Sequence, residues 1–92
     1  MRRVIIPQKY EKYIVTRIED MGGELVTLKF ENGYGASVIH HDWSYGLELA
    51  VLGSEGRLCY STGITDDVIG HLNQETLSNI LNDIQNLKGE KK

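Results

Sequence analysis

Residues 30–52 read F-E-N-G-Y-G-A-S-V-I-H-H-D-W-S-Y-G-L-E-L-A-V-L, and the fold turns on how that stretch divides. Asn32-Gly33 is a strong hairpin signal, because a two-residue type I′ turn needs positive φ at both central residues and Asn-Gly adopts it at least cost. Counting outward from a two-residue loop, Glu31 opposes Tyr34, Phe30 opposes Gly35, Leu28 opposes Ser37 and Val26 opposes Ile39. On that register Phe30, Leu28, Val26 and Ile39 form the core face, and Gly35 leaves room for the Phe30 ring. Tyr34, Ala36, Val38 and His40 fall on the other face, beside Lys29, Thr27 and Leu25. The alternation stops at 40–46, H-H-D-W-S-Y-G, which reads as a loop, and residues 47–52 have the apolar density of a central strand.

Working outward, residues 13–19 (Y-I-V-T-R-I-E) are rich in β-branched side chains and alternate as a strand. Met21-Gly22-Gly23 supplies a turn into a second strand over 25–31. Beyond Gly53-Ser54-Glu55-Gly56, residues 57–61 return as a fifth strand, which gives a β-meander over 13–61. Residues 1–12 form an entry arm, or an edge strand at 3–6, since Pro7 is tolerated only at a strand's margin.

The pattern then changes period. Residues 64–70, I-T-D-D-V-I-G, carry a Thr N-cap, two carboxylates and a Gly stop, the signature of one helical turn. The main helix is predicted over 73–88, with Asn73 as N-cap and Leu72 and Leu77 as a hydrophobic staple. Leu77, Ile80, Leu81, Ile84 and Leu87 make one apolar stripe, which must be buried against the sheet. The fold class expected is therefore α+β, a five-stranded antiparallel β-meander with one C-terminal α-helix packed on one face, in a single domain spanning residues 1–92.

Composition narrows function. Ten Lys and Arg against thirteen Asp and Glu give a net charge of −3 with no basic face, which argues against direct nucleic-acid binding. A single cysteine, Cys59, excludes an internal disulfide and a cysteine zinc cluster, and fits a reducing compartment. No apolar run approaches the roughly 20 residues that span a bilayer, so the expectation is a cytoplasmic protein with no membrane partner. A chain this short keeps much of its surface exposed, which leaves homo-oligomerisation open.

The candidate site is the aromatic and histidine loop His40, His41, Asp42, Trp43, Ser44 and Tyr45, with Tyr34 as a neighbour on the same sheet face. Trp, Tyr and His bring rigid contact area with polar handles, as binding hot spots do. The plainer alternative is that Trp43 folds back as a lid on the sheet while His40 and His41 finish a strand in solvent. Adjacent histidines on a strand point to opposite faces and cannot chelate one metal, so no metal or cofactor is expected. Asp66-Asp67 reads as dipole-complementing residues at a helix start, and Cys59 as a small packed side chain. No nucleophile elbow, zinc helix motif, P-loop or dinucleotide fingerprint occurs, so an enzyme is not expected.

Several blocks, F-E-N-G-Y-G-A-S-V-I at 30–39, S-Y-G at 44–46, L-E-L-A-V-L at 47–52 and I-T-D-D-V-I-G-H-L at 64–72, resemble a group of small proteins encoded by phages and prophages of Gram-positive bacteria. The resemblance covers roughly residues 14 to 87 and carries no established activity, so it assigns no functional residue. Where such proteins have Tyr-Asp-Thr-Pro, this chain has Tyr60-Ser61-Thr62-Gly63. The resemblance implies a host-cytoplasmic accessory protein that acts by binding. Its expected partner is a host protein, such as an anti-CRISPR target or another antiviral defence component, and the alternative is sequestration of a nucleotide signal. In the alternative, a pocket between protomers would hold the nucleotide, with Tyr34 and Trp43 stacking a base while Lys29 or Arg57 met a phosphate.

Overall fold

The computed structural model of the chain describes residues 2–42, 44, 46–53 and 69–87. A short 3-10 helix, Gln8–Tyr13, leads into β1 (Ile14–Asp20), β2 (Gly23–Lys29), β3 (Gly35–His40), β4 (Leu47–Leu52), β5 (Ile69–Leu72) and α1 (Gln74–Gln85). The strands lie in chain order in one sheet, each antiparallel to the next. The fold is thus the expected α+β meander with a C-terminal helix, and among the described residues its fifth strand is Ile69–Leu72. Residues 57–61, read as that strand, lie outside the described residues, as do residues 64–68 of the expected helical turn. Ile69 and Gly70, the rest of that turn, belong to β5. Ile69-Gly70-His71-Leu72 is too short for its pattern to decide its state, and here it pairs along β4 as a strand.

The two hairpin turns exchange the roles read from the sequence. The tight two-residue turn is Met21-Gly22, with φ of 48° and 79°, and the pair Asp20 and Gly23 closes it. At the second hairpin only Gly33 has positive φ, at 94°. Phe30 N–H donates to the Tyr34 carbonyl at 2.8 Å and Gly33 N–H to the Phe30 carbonyl at 3.1 Å, so the loop holds three residues, Glu31, Asn32 and Gly33.

That extra residue moves the register by one and turns β3 over. Leu28 pairs with Ala36 and Val26 with Val38, and all four are fully buried on the core face. Ile39, expected in the core, instead pairs with Leu25 on the outer face. His40 pairs with Glu24, so it shares the core side with Val38 rather than the face of Lys29. Gly35 opposes Lys29, not Phe30, and its bare α-carbon answers a backbone constraint: a Cβ there would stand 2.2 Å from the Leu28 carbonyl oxygen.

The core forms where α1 and the N-terminal arm share one face of the sheet. Asn73 caps α1 as expected, its side-chain oxygen accepting from Thr76 N–H at 2.7 Å. Leu77, Ile80, Leu81 and Ile84 are buried against Val26, Leu28, Val38, Leu49 and Val51, each contributing about 1.5–3 kcal/mol. Helix α1 ends at Gln85, short of residue 88, with Leu87 partly buried beyond it. The arm is neither a strand nor a solvated tail. Its Val4 and Ile6, with Tyr10 of the 3-10 helix, join the same core, while Arg3 and Ile5 alternate outward. Tyr10 and Tyr13 meet the Phe30 ring edge-on, with centroids 6.1 Å and 4.9 Å apart.

Buried polar groups anchor the arm. Glu24, 5% exposed, accepts from Val4 N–H and from the Arg17 guanidinium, both at 2.9 Å. The same guanidinium donates to the Val4 carbonyl at 2.9 Å, so one charge pair fixes both polar groups of a buried arm residue.

Candidate functional site

The β3–β4 loop is built on Ser44. Its hydroxyl accepts from His41 N–H at 3.0 Å and lies within donating distance of the carbonyls of Gly46, at 2.6 Å, and His41, at 3.0 Å. Ser44 N–H reaches the His41 carbonyl at 3.3 Å. A short polar side chain thus replaces the strand ladder with a closed local network, as Ser does in turns.

Asp42 ties this loop to the rest of the fold. Its N–H donates to the Met21 carbonyl at 2.9 Å, and its carboxylate pairs with the Arg2 guanidinium. Arg2 N–H donates in turn to the Gly22 carbonyl at 2.9 Å. Both charged side chains are half-exposed, so the ion pair contributes about 0–1 kcal/mol and its chief effect is positional. The loop, the β1–β2 turn and the arm therefore meet at one end of the sheet.

His40, His41, Asp42 and Ser44 are gathered at that end. Tyr34 is not with them: it precedes β3 at the opposite end, roughly 20 Å away along the strand. It is half-buried and packs on the core cluster. The expected patch running from the loop to Tyr34 and Lys29 is not formed, because the register change moves His40 and Tyr34 to the core side and leaves Lys29 on the outer face. Trp43 and Tyr45 lie outside the described residues, as do Arg57, Cys59, Asp66 and Asp67.

Beside the loop is an open cleft of about 490 Å³ that sequence reasoning missed. Arg3 and Ile5 come from the arm, His40 from the end of β3, Gly46 and Leu47 from the start of β4, and His71 from β5. The first turn of α1 closes it with Gln74, whose side-chain amide donates to the Ile5 carbonyl at 2.9 Å. Arg3 and Gln74 are far apart in sequence, and their only visible signal was polarity next to predicted apolar elements.

His71 enters the cleft by way of an irregular strand. Leu47 pairs with Leu72 and Leu49 with Ile69, so β5 carries one more residue than the β4 segment it faces. His71 has φ of 56°, the left-handed region seldom taken by residues other than Gly, Asn or Asp. A Cβ on Gly46 would stand 3.6 Å from the His71 α-carbon and ring Nδ1, so imidazole and loop backbone are in contact range.

Among the described residues no three His, Cys, Asp or Glu side chains gather as a metal site. None of their helices is long and apolar enough to cross a membrane. No family model, curated protein or solved structure matches the chain.

Proposed function

We propose that this protein is a non-catalytic binding module that captures a host protein through the loop over residues 41–46, in the manner of a phage accessory protein directed against a host defence component. The observation that carries the reading is the closed network around Ser44 and Asp42. Backbone held at His41, Asp42, Ser44 and Gly46 gives up little conformational freedom on binding, which is where affinity is commonly lost. Trp43 and Tyr45 are the sequence neighbours of Ser44, and large aromatic side chains suit a binding hot spot.

The polar groups of the loop support binding over catalysis. The Ser44 hydroxyl is engaged by main-chain groups and the Asp42 carboxylate by Arg2, so both serve to hold backbone. The test is affinity capture from a host lysate with the wild-type protein and with Trp43→Ala/Tyr45→Ala. The double variant should lose the captured host protein while its unfolding stays cooperative, and capture undiminished in that variant would overturn the reading.

The nucleotide reading in its expected form stacks a base on Tyr34 and Trp43 and meets a phosphate with Lys29 or Arg57. Tyr34 and Lys29 lie at the end of the sheet opposite Asp42 and Ser44, with Lys29 on the outer face, which supports the cleft as the place for a small ligand.

A further inference from the structure

We infer that the cleft bounded by Arg3, His40, His71 and Gln74 is a binding site for a small phosphate monoester. Its lining shares Gly46 with the 41–46 loop proposed for protein capture. Three features of the cleft lead to this ligand.

The first is charge. The chain as a whole carries −3, yet none of the described residues lining the cleft is acidic, and they include an arginine and two of the three histidines. A guanidinium offers a planar fork of N–H donors suited to phosphate, and an imidazole or carboxamide adds directed donors.

The second is geometry. The donors come from four separate segments, the arm, β3, β5 and α1, and so approach the cleft from different sides. Donors spread in this way match a tetrahedral oxyanion better than a planar carboxylate. Arg3 sits on a fixed strap: Arg2 N–H is bonded to Gly22, Val4 N–H to Glu24 and the Ile5 carbonyl to Gln74. His71 is held over the cleft by a bulged strand and a left-handed backbone, a costly conformation of the kind that accumulates at functional sites.

The third is size. About 490 Å³ lies within the usual range for small-molecule sites and exceeds what a phosphate group fills. Ile5, Leu47 and Leu72 supply apolar wall beside the donors. Ile5 is 62% exposed and lines the cleft, a suitable position against which the organic body of the ligand can pack. A nucleoside monophosphate has the required combination of one phosphoryl group and a body with an apolar face.

The experiment is an NMR titration of the full chain with adenosine monophosphate, inorganic phosphate and adenosine. Adenosine monophosphate should give saturable shifts at the amides of Arg3, Ile5, His40, Gly46, His71 and Gln74. Inorganic phosphate should move the same amides with lower affinity, and adenosine should move none of them. Arg3→Gln should weaken binding at least about tenfold, since it removes the charge-assisted hydrogen bonds. His71→Gly should weaken it comparably while leaving unfolding cooperative, because Gly adopts the left-handed backbone without strain. The inference is overturned if no phosphate-bearing ligand gives a saturable shift at these residues. It is overturned equally if adenosine or inorganic phosphate binds as tightly as adenosine monophosphate, or if both folded variants keep wild-type affinity.

Discussion

Asn32 Nδ2 lies 2.8 Å from the main-chain oxygen of Ile84, and the same amide reaches the carbonyls of Gln85 at 3.1 Å and Leu87 at 3.0 Å. Its side-chain oxygen meanwhile accepts from Tyr34 N–H at 3.0 Å. A hairpin-turn residue thus caps a helix more than fifty residues later, donating to carbonyls at and just beyond its last turn, where the helical ladder runs out. Asn32→Ala should cost about 1–2 kcal/mol in urea unfolding. Asn32→Asp should cost more, because a carboxylate has no proton to donate and faces the negative end of the helix dipole. Asn32→Gly separates the two roles: it suits a turn and removes the cap, so a loss equal to that of the Ala variant assigns the effect to α1.

That double duty explains why the sequence misleads here. Asn-Gly is the best two-residue turn signal in the chain, yet the Asn side chain is engaged by a segment remote in sequence, and the loop takes three residues instead. One residue of slip then exchanged the faces of β3, bringing Ala36 and Val38 into the core and moving Ile39 out. Features set by local rules were legible: the Asn73 cap, the α1 stripe, β1 and β2 by alternation, and β4 by apolar density. Features set by tertiary contact were not. Val4 and Ile6 became core because Glu24 and Arg17 bind the arm's backbone, and nothing within residues 1–12 announces that. The cleft lay beyond reach for the same reason, since its donors meet only after four segments have been placed.

Met21 offers a direct test of the turn assignment. It occupies the left-handed region at φ 48° with a side chain 52% exposed, in a two-residue turn whose second residue is Gly22. For a residue such as Met that backbone costs roughly 1–2 kcal/mol, of which Asn recovers a part. Met21→Asn should therefore raise stability by about 0.5–1 kcal/mol, read as a higher urea midpoint at unchanged slope. A lower midpoint would mean that Met21 makes contacts more valuable than its turn.

The Glu24–Arg17 pair should prove asymmetric. Glu24 is nearly buried, whereas the Arg17 side chain is 40% exposed and retains water when its partner is lost. Glu24→Gln keeps an acceptor for Val4 N–H and should cost about 1 kcal/mol, while Glu24→Ala orphans that buried donor and should cost about 2–3 kcal/mol. Hydrogen exchange at the Val4 amide distinguishes the cause. It should accelerate strongly in the Ala variant and only slightly in the Gln variant, and equal protection in both would remove Glu24 from its role as the arm's anchor.

Tyr10 is 1% exposed, and its hydroxyl has no hydrogen-bond partner among the described residues. A buried hydroxyl without a partner opposes folding, whereas its ring contributes through Phe30. Tyr10→Phe should thus be neutral or stabilising by up to about 1 kcal/mol in thermal unfolding. Destabilisation by that amount would show that the hydroxyl is satisfied.

Ser44→Ala tests whether the loop's order, and not just its side chains, supports capture of a partner. The substitution removes one hydroxyl that serves His41 N–H and the Gly46 carbonyl, and it leaves both neighbouring aromatic residues in place. Because the loop is at one end of the sheet and Ser44 is outside the core cluster, global stability should fall by no more than about 1 kcal/mol. Local protection should fall much further, with the His41 amide exchanging faster. If binding draws on a loop fixed in advance, the variant must order it at the moment of contact, at a cost of about 0.5–1.5 kcal/mol per group immobilised. Affinity for the captured host protein should then drop by up to about tenfold, mainly through faster dissociation. Wild-type affinity together with a deprotected His41 amide would separate loop order from recognition and leave contact chemistry alone to account for binding.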